Sequence, residues 1–150
     1  IKFNVYITNV IAIITVAYKI LLKHSITAGL HKKEEKIYNK LLEEKGFTYA
    51  ITRIAEPGKS EHQTGLAVDF CIYKDEKCYI EHEIEELLET KWVHQNCYRY
   101  GFILRYPEGK EDITKYSYEP WHIRYVGNIA SYIYNNNLTL EEYKERESKK

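Results

Sequence analysis

Two short segments of the chain carry side chains that can bind a metal ion. One contains His62 and Asp69 with Gly65 between them, and the other contains Glu119 and His122. Two imidazoles and one carboxylate can hold a zinc ion and leave a fourth coordination position open for water. A second carboxylate can act as the base on that water. These residues therefore indicate zinc-assisted hydrolysis, with His62, Asp69 and His122 as ligands and Glu119 as the base.

The surroundings of Asp69 support this interpretation. A histidine in a loop, such as His62, is by itself more often a polar surface residue than a ligand. Asp69, however, interrupts an apolar segment that includes Val68 and Phe70. A carboxylate buried there is costly unless it is paired or bound to a metal. The combination therefore favours a metal site over a structural protein without one.

The spacing of Glu119 and His122 raises a geometric problem. Pro120 favours an extended conformation for the residue before it, and in a regular strand residues three apart point to opposite faces. Both side chains can reach one zinc ion only if the chain bends, bulges or twists at Pro120 and Trp121.

Alternation and turn residues predict the strands that carry these groups. Residues 66–73 alternate, which predicts one strand with Asp69 on the face opposite Leu66, Val68 and Phe70. Residues 24–27, 101–106 and 121–126 are also predicted strands. Residues 53–63 and 107–109 contain proline and glycine and are predicted as a loop and a turn.

Helical periodicity predicts the remaining elements. Helices are expected over residues 10–23, 32–45, 81–89, 91–100 and 128–135. In the second of these, Ile37, Leu41 and Leu42 form an apolar stripe, Ala28-Gly29 is a break before it, and Gly46 ends it. Thr139 and Glu142 have the spacing of a capping box at the start of a last helix. Glutamates in 81–89 are expected to be solvated, and Trp92, Val93 and Cys97 to face inward. The predicted class is α+β, with a small antiparallel sheet flanked by helices.

The composition is that of one globular domain. The chain has 150 residues and a formal net charge of zero, and the lack of a basic excess argues against nucleic acid as a partner. We expect a single domain over 1–150, a monomer, and a charged tail over 144–150 that frays. Residues 1–24 are expected to contain a core helix, because Asn9 and Lys19 interrupt the apolar run. The alternative is the remnant of a membrane anchor.

Three cysteines leave two possibilities open. Cys71 and Cys78 can form a disulfide in an oxidising compartment, or all three, including Cys97, can be free buried thiols.

The chain resembles a peptidase family in a two-part motif. The motif is Ser60-x-His62-x-x-Gly65-x-Ala67-x-Asp69 with Glu119-x-x-His122. It is similar to that of the VanY-type zinc D-alanyl-D-alanine carboxypeptidases, whose superfamily includes D-Ala-D-Ala dipeptidases and the hedgehog-like metal fold. The similarity extends over residues 57–65, 100–107, 118–127 and 138–143, and covers roughly residues 25–145.

The resemblance implies roles for these residues. His62, Asp69 and His122 would bind zinc, and Glu119 would activate the zinc-bound water and then protonate the leaving amine. Ser60, Gln63 and Trp121 would contact the substrate, a peptidoglycan stem peptide or precursor ending in D-Ala-D-Ala. The protein would act in the bacterial cell envelope, outside the cytoplasm, with a cytoplasmic location as the alternative. Membrane association would require an N-terminal anchor.

One segment departs from the family pattern. The family has Ser-Gly-Tyr-Arg, whose arginine helps to bind substrate, and this chain has Ala28-Gly29-Leu30-His31. An imidazole cannot form the two-pronged contact of a guanidinium. Arg53 or Arg124 could replace the arginine, or His31 could be a surface residue at a helix start.

This departure and the unknown access to the site leave other functions open. The same site could serve an L,D-carboxypeptidase, a D-Ala-D-Ala dipeptidase or a cell-wall endopeptidase. In a different class, the protein would bind wall peptide with little turnover. The intact Glu119 argues against that class, because a protein that only binds has no chemical need for a base.

Overall fold

The computed structural model describes the backbone of residues 28–150 and the side chains of residues 35–73 and 75–150. The chain divides into two units, Ile1–Val68 and Asp69–Lys150. The helix expected over 10–23 and the strand expected over 24–27 lie outside the described residues. Both stay predictions, as does the single peptidase domain over 1–150.

Short helices and strands make up the described part of the chain. The α-helices are α1 (Ala28–Lys45), α2 (Phe47–Ile51), α3 (Leu88–Asn96), α4 (Glu111–Thr114), α5 (Ala130–Asn135) and α6 (Leu140–Ser148). The strands are β1 (Ala67–Asp69), β2 (Ile72–Lys74), β3 (Lys77–Tyr79), β4 (Phe102–Leu104) and β5 (His122–Tyr125). Single 3₁₀ turns cover Glu61–Thr64, Glu81–Ile84, Cys97–Tyr100 and Gly127–Ile129. None of the helices in residues 28–150 has the length and apolar character needed to cross a membrane.

Helix α1 starts earlier than expected. The break at Ala28-Gly29 is wrong, because both residues lie in its first turn; alanine favours helix, and one glycine costs only about 1 kcal/mol. Of the predicted stripe, Leu41 and Leu42 are half-buried, whereas Ile37 is 44% exposed and its neighbour Tyr38 is buried instead. Gly46 ends the helix as predicted, with φ of 83° and its N–H bonded to the carbonyl of Leu42 at 3.0 Å.

The single strand expected over 66–73 is wrong. The chain forms β1, leaves the sheet, and then forms β2, which pairs only with β3 among the described strands. The β2–β3 turn places Asp75 and Glu76 at positive φ, as tight hairpins require. Cys71 and Cys78 are joined by a disulfide across this hairpin, and Cys97 is a free buried thiol.

The three-stranded sheet carries most of the site. Its strand order is β1-β5-β4, and β4 and β5 are antiparallel with Ile103 opposite Arg124. This confirms strands inside 101–106 and 121–126, each shorter than expected. Gly101 precedes β4 at φ of 83°, and a Cβ there would lie 2.6 Å from the Tyr125 ring, so the close packing of β4 and β5 requires a glycine.

Helix α3 replaces parts of two expected helices. It spans Leu88–Asn96 between 3₁₀ turns, so residues 81–89 are not one helix. Val93 and Cys97 are buried as expected, while the side chains of Glu81, Glu83 and Glu89 are exposed.

One hydrophobic cluster of the second unit joins strand β4 to helix α5 and the start of α6. Its buried members are Ile103, Ala130, Ile133, Leu138 and Leu140. The capping box at the start of α6 is confirmed, because the Thr139 side chain accepts from the Glu142 N–H and the Glu142 side chain accepts from the Thr139 N–H. The tail expected to fray from residue 144 is helical as far as Ser148.

Candidate metal centre and active site

His62 lies in a tight loop that leads into β1. It belongs to the 3₁₀ turn Glu61–Thr64, and its carbonyl accepts the Gly65 N–H at 3.0 Å. Gly65 has φ of 68°, a left-handed conformation that glycine adopts without a steric penalty. The expected loop over 53–63 therefore ends in an ordered 3₁₀ turn, which leaves only four residues between His62 and strand β1.

Asp69 is the last residue of β1 and faces His122. Its Oδ1 atom lies 3.0 Å from Nδ1 of His122. The backbone ties the same two segments together, because the N–H of Phe70 donates to the carbonyl of Trp121 at 3.0 Å. Asp69 and His122 are therefore brought together by the sheet itself.

A turn resolves the conflict between Glu119 and His122. Strand β5 begins at His122, and the His122 N–H bonds back to the carbonyl of Glu119 at 3.2 Å. Oε2 of Glu119 consequently lies 3.5 Å from Nδ1 of His122, on one side of the chain. Both residues are buried, at 7% and 4% exposure. The bend predicted at Pro120 and Trp121 is confirmed.

Aromatic packing holds the His122 ring. The Tyr106 ring lies 5.0 Å from it, centre to centre, and stacks at 4.7 Å on Tyr116. The Arg105 guanidinium lies 4.8 Å from the centre of Tyr106 and makes a two-pronged ion pair with Glu141 of α6 at 3.0 and 2.6 Å. The His122 ring is thus connected to the last helix through its contact with Tyr106 and the ion pair between Arg105 and Glu141.

The donor atoms suit a zinc ion. One ligand atom each from His62, Asp69 and His122 lie within 4.8 Å of one another. Neighbouring donors around a tetrahedral zinc ion with bonds near 2.0–2.2 Å are about 3.4 Å apart. Two imidazoles and one carboxylate are also an established catalytic donor set for zinc. The residues present therefore fit the metal that the sequence indicates, with the Glu119 carboxylate beside them.

The residues expected to contact the substrate lie in four different parts of the chain. Trp121 lies in the turn before His122, and Arg124 follows His122 by two residues in β5. Ser60 and Gln63 are half-buried in the His62 loop, where the Ser60 carbonyl accepts the Gln63 N–H at 3.2 Å. The Arg53 guanidinium lies 5.2 Å from the centre of the Tyr49 ring. His31 is in the first turn of α1, and its side chain is outside the described part.

His94, to which the sequence interpretation assigned no role, contacts the turn that carries Glu119. Its Nε2 atom lies 2.7 Å from the carbonyl oxygen of Pro120. Burial is the largest influence on the His94 pKa and lowers it, against the opposing effects of this hydrogen bond and of Glu85. A signal was present in the sequence, because His94 stands beside inward-facing Val93, and a polar ring there needs a partner.

A second set of aromatic residues borders the same turn. The His82 ring meets the Trp121 ring edge-on at 5.5 Å and lies 6.3 Å from Tyr118. Burial, and then the charges of Glu85, Glu108 and Glu86, raise the pKa of Tyr118 to about 12. The Tyr118 hydroxyl is therefore protonated at neutral pH.

Comparison with known proteins finds one family over most of the chain. The family model VanY, described as D-alanyl-D-alanine carboxypeptidase, matches residues 20–128. The chain is 46% identical over 120 residues to YodJ of Bacillus subtilis (strain 168), covering 79% of this chain and 44% of YodJ. It is 42% identical over 115 residues to VanXYC of Enterococcus gallinarum, a bifunctional D-Ala-D-Ala dipeptidase and D-Ala-D-Ala carboxypeptidase, covering 75% of this chain and 60% of VanXYC. The chain thus spans less than two thirds of these relatives.

Solved structures share the fold. The LD-carboxypeptidase LdcB matches with a TM-score of 0.67 and 46% identity, covering 77% of this chain and 54% of LdcB. A mutant of the D,D-pentapeptidase VanY in complex with Zn(II) matches with a TM-score of 0.64 and 40% identity, covering 76% and 66%. VanYB in complex with D-alanine-D-alanine matches with a TM-score of 0.62 and 42% identity, covering 77% and 65%. These likenesses confirm the expected α+β class with its small antiparallel sheet.

Proposed function

The chain belongs to the VanY family of D-alanyl-D-alanine carboxypeptidases, and we propose that it is a zinc peptidase that removes the terminal D-alanine from peptidoglycan stem peptides. The observation that carries this proposal is the meeting of three donors, from His62, Asp69 and His122, beside the Glu119 carboxylate. The Zn(II) complex of the related VanY and the D-alanine-D-alanine complex of VanYB support the choice of metal and of substrate class.

We assign the ligands and the base as follows. His62, Asp69 and His122 hold the ion, which when bound supplies a Lewis acid that polarises the scissile carbonyl and acidifies water. Glu119 takes the proton of the attacking water and returns it to the nitrogen of the departing D-alanine. The short distance from Glu119 to His122 supports this role, because the base must lie beside the water that it deprotonates.

The terminal carboxylate of the substrate needs a cation, and we assign Arg124 to it. Residues two apart in a strand share a face, so Arg124 lies on the face of β5 that His122 occupies. A guanidinium can bind a carboxylate through two parallel hydrogen bonds. Arg53 and His31 are the alternatives. Trp121, Ser60 and Gln63 complete the proposed substrate contacts.

An L,D-carboxypeptidase is the second candidate. The related structures include LdcB, an LD-carboxypeptidase, and DacB of Streptococcus pneumoniae, an L,D-carboxypeptidase, at 46% and 39% identity. This activity would use the same ligands and the same base on a tetrapeptide stem. The L,D- and D,D-carboxypeptidase activities would differ in how the site binds the residue before the scissile bond.

We also propose that the protein acts outside the cytoplasm, in the bacterial envelope, because assembled peptidoglycan stems lie there. The disulfide between Cys71 and Cys78 supports this location, since such bonds persist in oxidising compartments.

One experiment tests the function and separates the candidates. Purified protein, with its zinc content measured, is given a pentapeptide stem, a tetrapeptide stem and free D-Ala-D-Ala, and released D-alanine is quantified. Preference for the pentapeptide supports the first proposal, and preference for the tetrapeptide supports the second. Peptide binding without D-alanine release from any of the three would reject the enzymatic proposal in favour of a binding module.

A further inference from the structure

The turn from Glu119 to His122 is held at every carbonyl group. The Glu119 carbonyl accepts the His122 N–H at 3.2 Å, and the Trp121 carbonyl accepts the Phe70 N–H at 3.0 Å. The His122 carbonyl accepts the Arg105 N–H at 3.1 Å. These three donors are backbone N–H groups, so a change of side chain does not remove them.

The fourth carbonyl, that of Pro120, is bound by a side chain. Nε2 of His94, on α3, lies 2.7 Å from this oxygen. A carbonyl only accepts, so Nε2 of His94 carries the hydrogen and donates it. This hydrogen bond connects the peptide group between Pro120 and Trp121 to a separate helix.

The same His94 ring also touches the segment that carries Asp69. Phe70, the residue after Asp69, meets the His94 ring nearly edge-on at 6.4 Å between centres. Because the Phe70 N–H bonds to Trp121, His94 contacts both sides of the junction between β1 and the turn. The hydrogen bond is partly buried and Pro120 is fully buried, so water competes for the bond less than it would at the surface.

We propose that His94 is a positioning residue that sets the place of the Glu119 carboxylate relative to His122 through its hydrogen bond to the Pro120 carbonyl. His122 is supported further by the Arg105 N–H, which donates to its carbonyl, and by the Tyr106 ring. Glu119 lies outside the strand; its N–H donates to the Tyr106 carbonyl at 3.1 Å, and the turn that His94 holds follows it directly. Loss of the bond therefore shifts the base more than it shifts the metal ligands. The inference rests on the proposed function for its catalytic consequence, although the hydrogen bond can be tested without activity.

The test compares three substitutions of His94 in the full chain. His94→Gln can place an amide N–H near the position of Nε2, whereas His94→Asn has the same amide on a side chain one methylene shorter. His94→Phe keeps the ring against Phe70 and removes the donor. Asn96→Ala is the matched control, because it removes a hydrogen bond to the Trp92 carbonyl within the same helix and leaves the turn untouched.

Each variant is measured for kcat and KM of D-alanine release, zinc affinity, melting temperature and hydrogen exchange of the Phe70 and His122 amides. We expect His94→Asn and His94→Phe to lower kcat about tenfold or more, to change KM and zinc affinity less than about threefold, and to speed exchange at both amides. His94→Gln and Asn96→Ala should retain kcat and exchange within about threefold of the unsubstituted protein.

Equal kcat in all four variants, or an equal loss in Asn96→Ala, would overturn the inference. So would unchanged amide exchange in both His94→Asn and His94→Phe, even if the unsubstituted protein released no D-alanine. In that last case the proposed function fails on its own measurement, while the exchange data still decide whether His94 holds the turn.

Discussion

Nδ1 of His122 lies 3.0 Å from Oδ1 of Asp69, across neighbouring strands of the sheet. The histidine is buried, whereas the aspartate, which the apolar sequence around it suggested to be buried, is exposed; their side-chain exposures are 5% and 37%. The pair thus presents a carboxylate at the surface and anchors an imidazole beneath it. This arrangement suits a metal bound near the surface of the protein.

Substitution of Asp69 tests the proposed metal centre. Asp69→Asn removes the anionic ligand, and we expect bound zinc to fall from about one to below about 0.1 per chain after dialysis, with loss of D-alanine release. Asp112→Asn, at an exposed position of α4, is the control and should retain both. Mass spectrometry under native conditions counts the zinc; full occupancy in Asp69→Asn would exclude this aspartate as a ligand.

Glu119→Gln separates chemistry from metal binding. The amide keeps the size of the side chain beside His122 but cannot accept a proton, so turnover should fall by about 10²–10⁴-fold, while zinc content stays near that of the unsubstituted protein. Glu89→Gln, on the exposed part of α3, should change neither. Turnover of Glu119→Gln at the normal rate would reject Glu119 as the base.

Arg124 is expected to act on substrate binding. Arg124→Lys keeps the charge and loses the two-pronged contact, so KM for the pentapeptide should rise about tenfold or more, with a smaller change in kcat. A pentapeptide amide, which lacks the terminal carboxylate, provides the control. If Arg124→Lys discriminates between acid and amide as well as the unsubstituted protein does, the cation lies elsewhere, and Arg53→Lys should then be measured in the same way.

The capping box of α6 should contribute to stability. Thr139→Ala removes the acceptor for the Glu142 N–H, and we expect the free energy of unfolding to fall by about 1 kcal/mol. Urea unfolding at neutral pH measures this change. Ser148→Ala, which removes a side-chain hydrogen bond at the other end of the helix, is the control, and an equal loss in both variants would contradict a specific role for the cap.

The same cap predicts a pH dependence. The hydrogen bond from the Thr139 N–H, and secondly the contact with Lys110, lower the pKa of Glu142 below its usual 4.5. A lowered pKa in the folded state stabilises the protein fully above the unfolded pKa, and this stabilisation disappears as pH falls through the folded pKa. Glu142→Gln should therefore show a weaker loss of stability below about pH 4.5 in urea titrations; identical acid profiles would contradict this.

The cysteines should differ in reactivity. Burial raises the pKa of the Cys97 thiol to about 12, and Cys71 and Cys78 are joined. Because thiolate is the reactive form, no thiol should react at pH 8 in the native protein. One should react in denaturant, and three after reduction in denaturant. Rapid labelling of the native protein would show that Cys97 is accessible or that the bridge is absent.

Local patterns predicted elements well where neighbouring residues alone decide the structure. The Thr139–Glu142 capping box and the helix end at Gly46 need only residues a few positions apart, so they could be predicted. The strand over residues 66–73 could not be delimited, because alternation continues through Phe70 while the hairpin β2–β3 draws the chain away from the sheet. The alternation shows which face of a strand is apolar, but it does not identify the strand with which that strand pairs.

The order of residues along the chain established which groups are available for chemistry: two imidazoles, two carboxylates, and a glycine where the backbone must turn. It also identified the bend that Glu119 and His122 require, because a proline between them and a strand period of two are local facts. The folded arrangement was needed to bring Asp69 to His122, and to give the Pro120 carbonyl its donor from His94, twenty-six residues away. Such contacts depend on how the sheet and α3 pack. Local preferences extend over only a few residues, so they cannot predict which residues far apart in the sequence come into contact.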